Sequence, residues 1–330
     1  MKRQNLLANQ GIMKFSPVKY WIVLIFLSPC LAGKGNERIP ADSLPRKQIK
    51  TVTVSKNSFL QIGTLPKQIE EASGLALANQ QNFWTHNDDG IPVLYCIGRD
   101  GKLIRTLHLN NTNNGWEDLA RDKEGNLYIG GFGNNKNDKK HLTILIIKNP
   151  ESFAGKIYSA DIINFTYEDQ HDFPPPQGKR NFDADALIVW RDSLFIFTKN
   201  RTAPFSGYTK VYRLPKSPGQ HTAVLVDSLF LGSGPMMDDW VTGADISPNG
   251  SKLALLGHSR VWIVSGFTRD QFSSGEIVKI ELANYTHKAG VAFTSENELF
   301  IVDEKEFGIL GGVIYLLRLA EIMAIKSADY

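Results

Sequence analysis

The 330-residue chain has only two cysteines and five methionines, and no run of five like charges anywhere. Two cysteines cannot build a disulfide framework. Lysine and arginine nearly balance aspartate and glutamate, for a net charge of +3 with the signs interspersed, so nothing points to nucleic acid. No apolar run reaches the ~20 residues of a membrane-spanning helix. Zinc-helix, phosphate-loop, Gly-x-Ser-x-Gly and EF-hand patterns are all missing, which removes support for seryl hydrolase and nucleotide chemistry. What the chain does have is 42% apolar residues, 28 glycines and 10% aromatics. That mixture fits a turn-rich β protein with a sizeable core.

The N-terminus reads as a targeting segment. Lys14 and Lys19 precede the apolar "YWIVLIFL", and small residues follow in "SPCLAGKGN". Met13 is an alternative start to Met1. "LSPC" resembles a lipoprotein box ending at Cys30, with Pro29 in place of the usual small residue. The expectation is export to the periplasm, the outer membrane or the medium. Any membrane contact would run through this segment or a lipid on Cys30. Residues 1–33 are assigned to the signal, 34–49 to a linker, 50–320 to one folded domain and 321–330 to a tail. Cys96, in "VLYCIG", reads as a buried thiol.

Within the domain one pattern recurs five times: "EEASGLALANQQNFWTHNDDG", "WEDLARDKEGNLYIGGFGNN", "FDADALIVWRDSLFIFTKNR", "VTGADISPNGSKLALLGHSR" and "HKAGVAFTSENELFIVDEKE". Each copy is an apolar strand, a turn and a second strand ending in polar residues. Leu75, Leu119, Leu187, Ile246 and Val291 are equivalent, at spacings of 44, 68, 59 and 45. The short spacings suit a propeller blade of ~40–50 residues, and the long ones hold insertions such as "YEDQHDFPPPQGKR". Third strands follow ("VLYCIGR", "LTILIIK", "TKVYRLP", "RVWIVSGF", "GVIYLLRL"), and fourth strands in all copies but the last. The pattern predicts an all-β propeller of five four-stranded blades, or six if an insertion conceals one. An irregular β-sandwich is the main alternative. The segment Thr51–Gly63 has no blade of its own, so it is expected to pair near Ile314–Leu319 and close the ring. The tryptophans Trp84, Trp116, Trp190, Trp240 and Trp262 are expected mostly in packing between blades.

Antiparallel pairing places the start of each first strand beside the end of each second strand. Glu71, Glu117, Asp183 and Asp185 should therefore gather with His86, Asn87, Asp88, Asn134, Asn135, Lys199, Asn200, Arg201, His258, Asp303 and Glu304 around one channel mouth. The turns "RDKEGN", "SPNGS" and "TSENE" fall on the opposite face and look like plain connectors. A concave polar mouth suits a small ligand, a glycan or a protein. Glu71, Glu117 and Asp185, helped by Asn87 or Asn134, offer oxygen ligands for calcium. His86 beside Asp88 has the makings of a general base oriented by a carboxylate, with solvent exposure or a structural role as the plainer alternative. Lys199 and Arg201 have the makings of an anion clamp. Acids beside Lys199 and Arg201 should titrate low, and acids crowded without a cation should titrate high.

The stretches "EASGL…WTHNDDG…LYCIGRDGKL", "WEDLARDKEGNLYIGGFGNN", "YEDQHDFPPPQGKRNFDADAL" and "SLFIFTKNR…TKVYRLPKSPG" resemble a group of exported β-propeller proteins of Bacteroidetes. More distantly the chain is similar to SdiA-regulated and phytase-like esterase propellers, through its acidic-Gly/Ala-Leu first strands. That wider similarity implies calcium or phosphate-ester chemistry. The chain departs from the group's pattern at Ala289, where an acid is usual, and at Gly131, where Asp is usual; both put an inherited metal or catalytic role in doubt. Two function classes stand side by side: an exported cell-envelope propeller that binds a ligand or partner at the polar face, and a calcium-dependent hydrolase of phosphate esters or lactones using the same face.

Overall fold

The computed structural model describes residues 48–322 apart from 56, 80 and 307. The signal segment, Cys30, most of the linker and the tail beyond 322 lie outside the described residues. Strands dominate, and they fall into five four-stranded antiparallel blades in chain order. Blade I runs from its inner strand Ala72–Asn79 through Asn82–Asn87 and Val93–Gly98 to Leu103–Leu109. Blade II comprises Leu119–Arg121, Leu127–Gly131, Leu142–Ile147 and Asp161–Tyr167. Blade III comprises Asp183–Trp190, Ser193–Lys199, Tyr208–Pro215 and Gly219–Phe230. Blade IV comprises Gly243–Ile246, Lys252–Leu256, Arg260–Ser265 and Glu276–Glu281. Blade V comprises Lys288–Ser295, Glu298–Asp303 and Val313–Arg318, and its outer strand is the N-terminal Phe59–Thr64. The chain is a five-bladed β-propeller.

Ring closure therefore joins the N-terminal segment to the last blade, Phe59 opposite Leu317 and Thr64 opposite Val313. The expectation that all of Thr51–Gly63 joins that blade is corrected. Lys50–Thr53 pairs in parallel with Val278–Glu281 on the outer edge of blade IV. A turn at Ser55–Ser58 separates the two pieces, with the Ser58 N–H donated to the Ser55 carbonyl. Val52 and Val54 pack into the apolar layer between blades IV and V, so the segment straddles two blades and covers both edges. A second edge is covered where the outer strands of blades II and III pair in parallel, Ile163–Tyr167 against Gly219–Ala223.

The core is five apolar layers, one between each pair of neighbouring blades. The alternation of each strand buries one side chain toward each neighbouring blade. In blade III, Leu187 and Ile196 face blade II, while Ile188 and Phe197 face blade IV. Trp84 and Trp116 fill the layer between blades I and II, and Trp262 that between III and IV. The Cys96 thiol sits in the first of these layers, and burial pushes it up to about 11.

The inner strands approach one another at one repeat position. The residues are Gly74, Asp118, Ala186, Asp245 and Gly290, each just before the repeat's equivalent apolar residue. Asp118, with no exposed surface, accepts the N–H of Leu119 (2.8 Å), of Leu187 in blade III (2.8 Å) and of Ala244 in blade IV (3.0 Å). Asp245 accepts the N–H of Ile246 (2.8 Å) and of Phe293 in blade V (2.7 Å). Blades V, I and II touch through backbone instead. A Cβ on Gly290 would lie 2.8 Å from the carbonyl carbon of Gly74, and one on Gly74 would lie 2.6 Å from the nitrogen of Leu119. Only glycine permits either approach. This waist separates two mouths: an upper one where the inner strands begin, and a lower one where they end.

Candidate functional site: the upper mouth

The upper mouth is built by the expected pairing of strand starts with strand ends. Asp183 lies opposite Lys199, Ala72 opposite Asn87 and Lys288 opposite Asp303. Glu117 and Asp185 occupy the same repeat position, two residues before Leu119 and Leu187. A β-bulge between Ala184 and Ala186 lifts Asp185 out of the ladder. Its Oδ2 accepts a short hydrogen bond from Lys199 Nζ, while its buried Oδ1 has no partner. Glu117 rests against the "GFGNN" turn: a Cβ on Gly133 would collide with Glu117 Oε1. Gly115 lies beneath both Glu117 and Asp88, with the site of its absent Cβ 3.9 Å from Glu117 Oε1 and 4.0 Å from Asp88 Oδ1. Asp88 Oδ1 is likewise buried without a partner.

These carboxyls are crowded, and burial reinforces the crowding. Burial, then the charges of Asp185, Glu304, Glu71 and Asp89, push Asp88 up to about 7. Burial, then Asp185, Asp88 and Asp183, hold Glu117 well above the usual carboxylate range. Asp185 also rises, to about 6, because burial outweighs the attraction of Lys199. The expectation that acids beside Lys199 titrate low is thus corrected, since desolvation is the larger effect here. Burial alone would lower Lys199, but Asp185, Asp183 and Glu117 outweigh it and keep the ammonium charged. Arg201 pairs with Asp183 and donates to Asn135. Its guanidinium stands 4.5 Å from the centroid of Trp240, and the Lys199 ammonium 5.1 Å from the same ring.

On the blade V side, Glu304 Oε2 lies 3.0 Å from His287 Nδ1. The hydrogen bond to Glu304 raises His287. His258 stacks obliquely on His287 at 4.5 Å, and burial with its cationic neighbours drives it down to about 3. It is neutral, and its buried Nε2 is unpartnered.

Several expected site residues are scaffold instead. Asn87 bridges the N–H of Glu71 and the carbonyl of Gln68. Asn134 bridges the Lys139 N–H and the Phe182 carbonyl. Asn200 accepts from Thr202 and donates to Ser206 and Tyr208. Asp303 is fully buried and takes the Val313 N–H (2.6 Å) and the Tyr315 hydroxyl (3.0 Å). Their hydrogen bonds are spent on loop geometry, the commoner use of Asn and Asp at turns.

His86 is not oriented by Asp88. Its ring is buried edge-on to Trp116, 5.4 Å between centroids, and Nδ1 contacts the Asn87 carbonyl oxygen. Burial drives it down to about 4. A neutral imidazole inside the layer between blades I and II is a structural histidine. Among the described residues no three His, Cys, Asp or Glu side chains converge at metal-ligating distance. Glu117 and Asp185 do interact, whereas Glu71 is placed with Asp88.

The sequence reading missed His287, Lys288 and Trp240. A signal for His287 existed: it stands four residues before Val291, as Glu71 and Asp183 stand before Leu75 and Leu187. Lys288 is fully buried, its ammonium donated to the carbonyls of His258 and Asn284 and to the Thr286 hydroxyl.

No protein-family model matches the chain, and the search of curated proteins finds no match. Among solved structures, β-propeller proteins resemble it. A streptogramin B lyase is 8% identical with a TM-score of 0.37, the match covering 74% of this chain and 66% of the lyase. The virginiamycin B lyase of Staphylococcus aureus is 15% identical with a TM-score of 0.38, covering 78% and 69%. The PQQ-bound aldose sugar dehydrogenase of Streptomyces coelicolor is 13% identical with a TM-score of 0.43, covering 79% and 98%. The chain thus spans about two thirds of the length of the two lyases. At these identities the likeness concerns the fold.

Proposed function

We propose that this chain is an exported, cell-envelope propeller that binds a positively charged ligand at its upper mouth. The ligand is a small amine-bearing molecule or a basic side chain of a partner. One observation carries the reading: Asp88, Glu117 and Asp185 crowd one mouth, and buried oxygens of Asp88 and Asp185 have no partner. Lys199, Arg201 and, beside Glu304, His287 are too few to neutralise Glu71, Asp88, Glu117, Asp183, Asp185 and Glu304. Buried polar atoms are ordinarily satisfied, so an unsatisfied pair at a concave mouth points to an absent donor. An ammonium group supplies both the charge and the hydrogens.

Thermal melting at pH 7.5 with 1,4-diaminobutane tests the reading. The amine should raise the melting temperature of the wild type and leave Glu117→Gln unchanged, because binding stabilises the folded state alone. Equal shifts in both proteins would reject it. The second reading, calcium-dependent hydrolysis of phosphate esters or lactones, draws support from Asp88, whose carboxyl at about 7 exchanges its proton near neutrality. Of the expected ligands Glu71, Glu117 and Asp185, only Glu117 and Asp185 lie together, so they would be the carboxylates that hold calcium. Calcium-dependent melting that Glu117→Gln abolishes, with p-nitrophenyl phosphate turnover that Asp88→Asn abolishes, would favour it over simple binding.

A further inference from the structure

The lower mouth is more than a ring of connecting turns. It opens into a cavity of about 780 Å³, lined by all five blades and stopped by the waist. This volume falls within the ~300–1,000 Å³ of small-molecule sites. Ala76, Leu119, Val189, Ile246 and Phe293 make its deep walls apolar. Asp245 reaches the cavity with both oxygens already engaged by backbone N–H groups.

The outer rim is polar and close to neutral. Arg121 pairs with Glu151, and Lys216 with Asp122 and Glu124. Lys123 and Asp192 stand exposed, as does Arg191, whose guanidinium lies 4.4 Å from the centroid of Trp190. Donors and acceptors therefore alternate around an aromatic edge and an apolar floor, with no charge excess. The upper mouth also has an aromatic edge, at Trp240, but its acids are in excess.

We infer that the lower mouth is a second, independent binding site, for a neutral polyhydroxylated ligand with an apolar face, the chemistry of a glycoside. Hydroxyl groups accept from Arg191 and Lys123 and donate to Asp192, and the apolar portion enters the walled cavity. A strongly charged ligand meets a counter-charge and a like charge together.

Three probes sharing one phenyl ring test this: phenyl β-glucoside, phenyl phosphate and phenethylamine. Saturation-transfer NMR and titration calorimetry on the full chain should show the glucoside binding at least about tenfold more tightly than either charged probe. Arg191→Gly combined with Asp192→Ala, and separately Lys123→Ala in an exposed turn, should each weaken it. Glu117→Gln at the upper mouth should leave it unchanged, which separates failure here from failure of the proposed function. Binding of phenyl phosphate or phenethylamine equal to that of the glucoside overturns the inference. So does glucoside binding that survives both lower-mouth variants, or that disappears in Glu117→Gln.

Discussion

The two mouths of this propeller are made by the same strands, yet they handle charge in opposite ways. At the lower mouth each acid close to a cation has its own partners: Lys216 pairs with the buried Asp122 and the exposed Glu124, and Arg121 with the half-buried Glu151. At the upper mouth the acids are buried together, and burial raises Asp88, Glu117 and Asp185 even with Lys199 among them. Charge exposed to water costs little to place and contributes little. Charge crowded and desolvated is destabilising, and a fold keeps it where a ligand repays it. The waist keeps the two regimes apart.

Breaking the waist should have the largest effect. Asp118→Ala leaves the N–H groups of Leu119, Leu187 and Ala244 without an acceptor, so a loss of about 3–5 kcal/mol is expected in urea unfolding. A loss under about 1 kcal/mol would mean that the blades do not depend on this carboxyl. Asp118→Asn keeps one acceptor oxygen but turns an amide donor toward the N–H groups served by the other, so it should recover only part of that loss.

The charge contrast itself is sharpened by deleting one lysine at each mouth. Lys199→Met strands the buried Asp185 and should cost about 3 kcal/mol at pH 8. The cost should shrink at pH 5, where Asp185 takes a proton. Lys216→Met leaves Glu124 in solvent and the buried Asp122 still held by Asn126 and Tyr128, so it should cost no more than about 1 kcal/mol at either pH. Equal costs from the two deletions would erase the distinction.

The pH dependence is subtler. Carboxyls unfold to about 4, and in the folded upper mouth Asp88 titrates at about 7 with Glu117 also raised. The folded state therefore binds more protons, and these groups contribute stability that is full below pH 4 and is lost as pH rises toward 7. Glu117→Gln should flatten that part of the profile and melt a few degrees higher than wild type at pH 7.5 without ligand. A variant that keeps the wild-type slope and melts lower would show Glu117 to be a stabilising group instead.

The smallest effect belongs to the lower rim. Arg191 holds a left-handed backbone at φ 55°, so Arg191→Gly should change stability by less than about 1 kcal/mol, and upward. A clear loss by calorimetry would assign the guanidinium on Trp190 a structural share.

The blades were legible because each repeat must bury two faces against its neighbours. That requirement writes the same apolar alternation five times and leaves Leu75, Leu119, Leu187, Ile246 and Val291 in register. Strand direction then placed Glu117, Asp185, Lys199, Arg201 and Glu304 at one mouth without further information. The repeat also carried the waist, as Gly, Asp, Ala, Asp and Gly at one position, though nothing local reveals that Asp118 reaches blades III and IV.

The division is physical. Periodicity and antiparallel order are local properties, so the sequence by itself determined the blade repeat, the blade that the N-terminal segment closes and the end of the channel at which the strand-end polar residues lie. Five blades rather than six, and the pairing of Lys50–Thr53 with blade IV, were decided by the tertiary structure. Which side chain faces the channel, and which turns inward to hold a loop, depends on bulges and partners from other blades. His86 and Asn134 were therefore sent to the scaffold, while His287 joined the mouth. Desolvation is likewise a sum over all surrounding atoms. Only the tertiary structure could decide that Asp185 is raised beside a lysine, and that turns resembling connectors surround a cavity.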